Sequence, residues 1–241
     1  MKLNLYYVTD VYCVWCYGFR KTIDRIASEY AGRVELRIVN GCMISQEVSL
    51  GEFFGRFPDP LAIHQRVSDT SGEVFGEPYL EHIRAYTTSK RKLNSLAPAR
   101  AVAAMHKLGV TDKISIYSQI LSAYYKDGID LLSPENYRRL DCMKAVDFKQ
   151  FESLLTDRAT LSAVSRDLAW VNQLGVQGFP ALLLEQTDTH YETIARGFMR
   201  YEAVQKGLDA ALRSLPLATA AGVRCSVDRT CHDWQPPHKH R

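Results

Sequence analysis

The sequence has few cysteines, no strong excess of charge of either sign and no long apolar run. Six cysteines among 241 residues are too few for a small fold held together by disulfides. The formal net charge of +3 gives no reason to expect nucleic acid or an acidic membrane surface as a partner. No run approaches the roughly 18 apolar residues that a transmembrane helix requires. We therefore expect neither a nucleic-acid partner nor a membrane partner.

The N-terminus lacks the pattern of a secretory signal, which needs a positive start, an apolar stretch and a small-residue cleavage site. The apolar run Leu3–Val8 is too short and too aromatic, and is more typical of a strand. We expect a cytoplasmic protein, unless the sequence is that of a mature product. In a reducing compartment, paired cysteines indicate redox chemistry or metal binding before structural bridges.

The first part of the chain predicts a strand, a helix and a second strand. Leu3–Val8 is nearly continuously apolar, and Val14–Tyr30 places apolar residues three and four positions apart. Val34–Ile38 alternates between apolar and charged residues, which is the period of a strand. A helical connection implies that the two strands are parallel, so this segment is a βαβ unit.

The rest of the chain predicts a helical insertion and then a second α/β unit. Strand patterns are absent for more than a hundred residues, and they return at Ala181–Leu184 and Tyr191–Ala195. The predicted fold class is therefore α/β, in the order β-α-β, helical insertion, α-β-β-α. The predicted boundaries are 1–44 and 159–215 for the α/β domain, 45–158 for an all-helical inserted subdomain, and 216–241 for a C-terminal tail.

The strongest motif is Cys13-Val14-Trp15-Cys16, which follows the first strand and opens the first helix. Thiol–disulfide exchange needs one thiolate that attacks and a second thiol that releases the mixed disulfide. Free N–H groups and the helix dipole at a helix start favour a negative sulfur. Cys13 is therefore the expected nucleophile and Cys16 the expected resolving thiol. The alternative is a pair of buried small residues or half a zinc site, although the folded part of the sequence offers no second Cys-x-x-Cys.

Pro180 is the second notable residue, since it directly precedes a predicted strand. A proline at this position can protect an edge strand or simply end the preceding element, and it can also form a cis peptide bond. The residues alone leave these alternatives open.

These motifs carry a family resemblance. The chain resembles the DsbA-like branch of the thioredoxin superfamily, and most of all its FrnE-type predicted disulfide isomerases. The resemblance spans about residues 1–215, and the segments that carry it are Asp10–Gly18, Asn94–Arg100 and Gly175–Pro180. It implies a thioredoxin-like fold interrupted by a helical subdomain.

The resemblance also implies roles for individual residues. Pro180 would be a cis proline that faces the cysteine pair, and the backbone of Phe179 would pair with a bound substrate strand. Apart from the resemblance, Trp15 flanks the thiols and is expected either to contact substrate or to pack on the insertion, and Val14 is a further expected substrate contact. Strongly oxidising members of the family have a histidine between the cysteines, and its absence here favours reductase or isomerase activity.

Three functions follow as hypotheses. The first is a thiol–disulfide oxidoreductase or isomerase that acts on protein or small-molecule disulfides. It needs no cofactor beyond its own redox-active disulfide, and glutathione is a candidate reductant. The second is a glutathione-dependent transferase or isomerase on the same fold, although serine often replaces the first cysteine in that branch. The third is a non-catalytic redox-sensing chaperone or binding module.

Several other residues have weaker functional interpretations. Asp10 is a candidate proton shuttle, although an Asp before a helix more often caps a turn. Arg20 is either close to the Cys16 sulfur or, as the commoner case, a solvated surface residue. The remaining isolated cysteines and histidines are expected to be small buried thiols and surface or hydrogen-bonded rings: Cys42, Cys142, His64, His82 and His106.

The tail contains Cys225 and Cys231 together with three histidines. We expect an unstructured segment there, with a disulfide, a second redox pair or a metal site as alternatives. No metal site is predicted in the folded part.

Overall fold

A computed structural model describes residues 2–187 and 189–214. Its strands and α-helices are, in chain order, β1 (Leu3–Thr9), α1 (Val14–Glu29), β2 (Val34–Asn40), β3 (Val48–Ser49), α2 (Leu50–Phe54), α3 (Pro60–Ser71), α4 (Glu77–Arg84), β4 (Lys92–Leu93), α5 (Leu96–Lys107), α6 (Lys113–Tyr125), α7 (Phe148–Leu155), α8 (Arg158–Gln173), β5 (Ala181–Thr187), β6 (His190–Arg196) and α9 (Tyr201–Ser214). Two 3₁₀ helices, Pro134–Arg139 and Asp141–Met143, lie between α6 and α7.

The central sheet has the strand order β2-β1-β5-β6. β1 pairs with β2 in parallel, as the predicted βαβ unit requires, and β5 runs antiparallel to both β1 and β6. The sheet is buried on both faces because successive side chains of β1 point in opposite directions. Leu5 and Tyr7 join a core with α1, whereas Val8 joins a smaller core with Val171 of α8. The predicted β-α-β and α-β-β-α units are thereby confirmed, and they place the end of β1 at the centre of the sheet.

The insertion packs onto this α/β layer through aromatic side chains. Tyr17 of α1 stacks on Tyr125 of α6 with ring centroids 4.6 Å apart, and Tyr125 contacts Tyr79 of α4. The larger core is continuous from the sheet into the helical part. Because this core crosses the predicted boundaries between the α/β domain and the insertion, those boundaries remain predictions.

The insertion is not purely helical. Val48 pairs with Leu93 and Ser49 with Lys92 in a short antiparallel ladder between β3 and β4. The prediction of an all-helical insertion missed this ladder because two-residue strands are too short to show an alternating pattern.

Within the part of the chain that the structure describes, no helix combines the length and the apolarity needed to cross a membrane.

Candidate active site

The cysteine pair lies where β1 gives way to α1. Cys13 is the N-cap of α1 with extended backbone angles, and its carbonyl accepts from the N–H groups of Cys16 (2.9 Å) and Tyr17 (3.2 Å). The Cys13 sulfur is therefore at the open first turn, where unpaired N–H groups and the helix dipole favour negative charge. The side chain of Cys13 is 7% exposed and that of Cys16 is fully buried.

The two thiols have different electrostatic environments. Both cysteines are free. Burial and the neighbouring Cys13 side chain raise the pKa of Cys16 well above its usual value. Cys16 therefore keeps its proton near neutral pH, whereas Cys13 is the thiol that lies at the N-terminus of the helix. This is the asymmetry that a nucleophile and a resolving thiol require.

The loop before β5 faces the pair. The Phe179–Pro180 peptide bond is cis, as the family resemblance implied. The Phe179 carbonyl oxygen lies 3.5 Å from the Cys13 sulfur and accepts its hydrogen bond. The Pro180 carbonyl accepts from the N–H of Gly197 at 2.7 Å, which ties this loop to the end of β6. Phe179 and Pro180 are thus beside Cys13, as predicted, and their contact with substrate remains a prediction.

Phe179 also packs on the end of β2. Its ring lies over the Gly41 backbone so closely that a Cβ on Gly41 would be 2.1 Å from Phe179 Cε1. Sequence patterns gave no sign of this contact, because a glycine after a strand is typical of any turn.

Val14 and Trp15 lie between the cysteines on the first turn of α1, and both are half-buried against the main core. The Trp15 ring packs on Phe198, in the loop before α9, with centroids 5.7 Å apart. Trp15 therefore packs against the α/β domain. Whether either side chain contacts substrate stays a prediction.

Asp10 is buried and holds two loops in place. Its carboxylate accepts from the N–H groups of Tyr12 (2.9 Å) and Met43 (2.7 Å), and Ser95 hydrogen-bonds to it. Burial raises the pKa of Asp10, and these three hydrogen bonds oppose the rise. Of the two interpretations from sequence, the geometry supports the turn cap, because the donors to the carboxylate are two loop N–H groups and Ser95. The proton shuttle stays a prediction.

Arg20 is not the solvated surface residue that the sequence favoured. It is mostly buried and donates to Glu73 at 3.0 Å, and Glu73 is itself only 3% exposed. The ion pair joins α1 to the loop after α3. The sequence pattern could not show it because Glu73 lies 53 residues away.

The two isolated cysteines are half-buried thiols. Cys42 has a left-handed backbone with φ 52°, and burial together with the charge of Asp10 raises its pKa to about 11. The Cys142 sulfur lies 3.9 Å from the sulfur of Met105. Burial raises the pKa of Cys142 as well, so neither environment activates its thiol.

Among the three histidines, His64 is a hydrogen-bonded core residue. Its Nδ1 lies 2.6 Å from the Pro60 carbonyl oxygen and its Nε2 lies 2.7 Å from the Tyr79 hydroxyl. Burial lowers the pKa of His64, which favours the neutral ring. His82 is half-buried on the last turn of α4, and His106 is exposed on the last turn of α5.

The predicted tail, including Cys225 and Cys231, lies outside the described residues. Within residues 2–187 and 189–214, no group of three or more His, Cys, Asp or Glu side chains is arranged to hold a metal ion.

A groove of about 270 Å³ adjoins the Phe179–Pro180 loop. It is lined by residues 174–178, by Ala181 and Leu183 of β5, and by Thr193 and Arg196 of β6. Larger cavities lie beside β2 and around His64 and are not lined by the cysteine pair.

The residues beneath Cys16 were not predicted from the sequence. The Tyr7 hydroxyl donates to the Cys16 carbonyl at 3.5 Å, and Thr9 and Tyr117 are neighbours of the same cysteine. The sequence feature that could have indicated these residues is Thr9, a threonine at the end of an otherwise apolar strand.

Comparison with known proteins supports the fold. The chain matches no protein-family model and no curated protein. A candidate protein disulfide isomerase from Nitrosomonas europaea has a similar structure, with a TM-score of 0.75 at 21% identity over 88% of this chain and 98% of that chain. The cytosolic disulfide reductase DsbM from Pseudomonas aeruginosa gives 0.68 at 22% identity over 88% and 99% of the two chains, and a second structure of it contains GSH.

A 2-hydroxychromene-2-carboxylate isomerase is also similar, with a TM-score of 0.57 at 15% identity over 87% of this chain and 96% of that chain. At these identities the likeness establishes the fold alone. The chain has a DsbA-like thioredoxin fold with a helical insertion, as the sequence resemblance implied.

Proposed function

We propose that the protein is a thiol–disulfide oxidoreductase in which Cys13 attacks and Cys16 resolves. One observation carries the proposal: Cys13 caps the open first turn of α1 beside the cis Phe179–Pro180 bond, while Cys16 is fully buried. Such an arrangement favours the thiolate at the outer sulfur, and the thiolate is the attacking species in exchange.

The reaction balances with the pair alone. The Cys13 thiolate attacks one sulfur of a substrate disulfide, a Cys13–substrate disulfide forms, and the other substrate sulfur leaves as a thiolate that takes up a proton. Cys16 then loses its proton and attacks Cys13, so that the Cys13–Cys16 bond forms and the second substrate thiol leaves. The substrate gains two electrons and the pair loses them.

The proposed activity is the reduction or isomerisation of disulfides, and the proposed compartment is the cytoplasm. Val14 and Trp15 replace the histidine that stabilises the thiolate in strongly oxidising members, and the similar reductase from Pseudomonas aeruginosa is described as cytosolic. Reduction of the spent pair then requires a thiol. Glutathione is the proposed reductant, and no further cofactor is needed.

The substrate is proposed to lie along the Phe179–Pro180 loop. The Phe179 carbonyl is 3.5 Å from the Cys13 sulfur, so a strand paired with this loop would bring its sulfur to Cys13. Val14 and Trp15 are the proposed apolar contacts on the opposite side. A protein strand or a small disulfide would use the same contacts.

Turnover of a protein disulfide tests the proposal. Reduction of insulin by dithiothreitol should be accelerated by the protein, and Cys13→Ser should abolish that acceleration. Cys142→Ser is a matched control, because it removes a half-buried thiol outside the pair and should leave turnover unchanged. Turnover that survives in Cys13→Ser would rule out the proposed nucleophile.

The two other hypotheses remain distinguishable. The likeness to a chromene-carboxylate isomerase favours a glutathione-dependent enzyme as the second candidate. That candidate predicts saturable glutathione binding and activity on a small electrophile that both persist in Cys16→Ser. A non-catalytic redox-sensing module predicts client binding without any thiol turnover.

A further inference from the structure

The resolving step poses a problem at Cys16. Its sulfur must become a thiolate in a fully buried place, where desolvation penalises the charge. The Asp10 carboxylate accepts hydrogen bonds from the N–H groups of Tyr12 and Met43, so it is poorly placed to assist the ionisation of Cys16.

Two donors from adjacent residues lie against the Cys16 sulfur. They are the backbone N–H of Asp10 and the hydroxyl of Thr9, and both act to favour the Cys16 thiolate. Thr9 is the last residue of β1, with its side chain on the same face as Tyr7, under α1. A hydroxyl can rotate to donate when a negative charge appears beside it.

The Thr9 hydroxyl is also unpaired in the reduced protein. Thr9 is fully buried, and its Oγ1 makes no hydrogen bond of ordinary length within the described part of the chain, although the side chains of Tyr7, Tyr117 and Cys16 are its polar neighbours. A buried polar atom without a partner costs free energy, so its presence needs an explanation. A role that arises only when Cys16 ionises supplies one.

We propose that Thr9 assists the resolving step by donating a hydrogen bond to the Cys16 sulfur as it becomes a thiolate, together with the Asp10 N–H. The inference rests on the proposed function, because it assumes a Cys13 mixed disulfide. The Cys16 thiolate attacks Cys13, the Cys13–Cys16 bond forms, and the bond from Cys13 to substrate breaks. The proton from Cys16 passes through solvent to the departing substrate thiolate.

The other titratable groups around Cys16 do not compensate the negative charge of its thiolate. Tyr7 of β1 and both Tyr117 and Tyr125 of α6 have their pKa values raised well above 10 by burial, so they stay neutral near pH 7. Asp10 lies in the loop after β1, and Cys13 itself is blocked in the mixed disulfide. The pH dependence of resolution therefore reports the ionisation of Cys16.

A two-step release of a coloured thiol separates the two cysteines. The protein with Cys42, Cys142, Cys225 and Cys231 all changed to Ser is reduced and mixed with 5,5′-dithiobis(2-nitrobenzoate). The first equivalent of released thionitrobenzoate reports attack by Cys13, and its rate depends on reagent concentration. The second equivalent reports resolution by Cys16, and its rate does not.

Thr9→Val should slow the second phase about tenfold or more near pH 7, as expected for loss of a hydrogen bond to a buried anion. Its pH profile should shift to higher pH, because Cys16 ionises less readily, and the first phase should be unchanged. Thr9→Ser keeps the hydroxyl and should restore the second phase.

Thr160→Val is the matched control. Thr160 on α8 is likewise fully buried, and its Oγ1 also lacks a close partner within the described residues. Both valine variants should melt at or above the parent temperature, since each removes an unpaired buried hydroxyl. Thr160→Val should leave both kinetic phases and the pH profile unchanged.

The outcomes separate the two proposals. If the parent gives no fast first phase, the proposed function fails. If the first phase is present and Thr9→Val resolves at the parental rate and pH profile, the role of Thr9 is overturned while the function stands. A uniform slowing at all pH values in Thr9→Val, without rescue by Thr9→Ser, would also overturn it.

Discussion

Gly41→Ala tests how the substrate loop is supported. The added Cβ would lie 2.1 Å from Cε1 and 2.3 Å from Cζ of the Phe179 ring, whereas ordinary contacts begin at 3.4 Å. The ring would have to retreat by more than about 1 Å, and overpacking of this kind costs about 1–3 kcal/mol in the free energy of unfolding. Because the Phe179 carbonyl faces Cys13, displacement of this residue should also lower kcat/KM, by about 10- to 100-fold.

Denaturant unfolding and disulfide turnover measure the two effects. Gly32→Ala is the matched control, because a Cβ there meets nothing within 4 Å, and it should be neutral or slightly stabilising. Phe179→Ala removes the ring, so adding Gly41→Ala to it should cost little further stability. A coupling energy of about 1 kcal/mol or more between the two positions is expected. If Gly41→Ala behaves like Gly32→Ala in both stability and turnover, the contact between Phe179 and the end of β2 is wrong.

Three further predictions concern stability. Arg20→Ala removes the 3.0 Å partner of the nearly buried Glu73 and should cost about 2–4 kcal/mol in a urea titration. Arg37→Ala removes an exposed pair and should cost under about 1 kcal/mol in the same titration. The raised pKa of Asp10 means that its favourable contribution is present below about pH 3.8 and lost as pH rises, so the stability of the parent relative to Asp10→Asn should fall as the pH is raised above about 3.8. The lowered pKa of His64 has the opposite sign: its contribution is present above about pH 6.5 and lost on acidification, and thermal melts of His64→Gln should lack that loss.

The sequence predicted those parts of the fold that rest on periodic burial. Leu5, Tyr7 and Val8 alternate between two cores, and the spacing of apolar residues in α1 matches its buried face. Local order along the chain sufficed here, because strand, turn and helix start are consecutive. The placement of Cys13 and Cys16 at a helix start followed from the same local pattern.

Long-range contacts were beyond the reach of these patterns. The pairing of Arg20 with Glu73, the contact of Phe179 with Gly41 and the short β3–β4 ladder all join segments far apart in the chain. The unpaired hydroxyl of Thr9 was equally hidden, since whether a buried polar atom has a partner depends on every element packed around it.

The central claim is that Cys13 attacks and Cys16 resolves, and trapping of the mixed disulfide tests it most directly. The protein lacking its other four cysteines is reduced, mixed with hydroxyethyl disulfide, quenched in acid and weighed intact by mass spectrometry. The parent should end as an internal disulfide, two hydrogens lighter, without an adduct. Cys16→Ser should accumulate one adduct, which peptide mapping places on Cys13, and Cys13→Ser should react slowly or not at all. A fast adduct on Cys16 in Cys13→Ser, or no adduct in Cys16→Ser, would contradict the account.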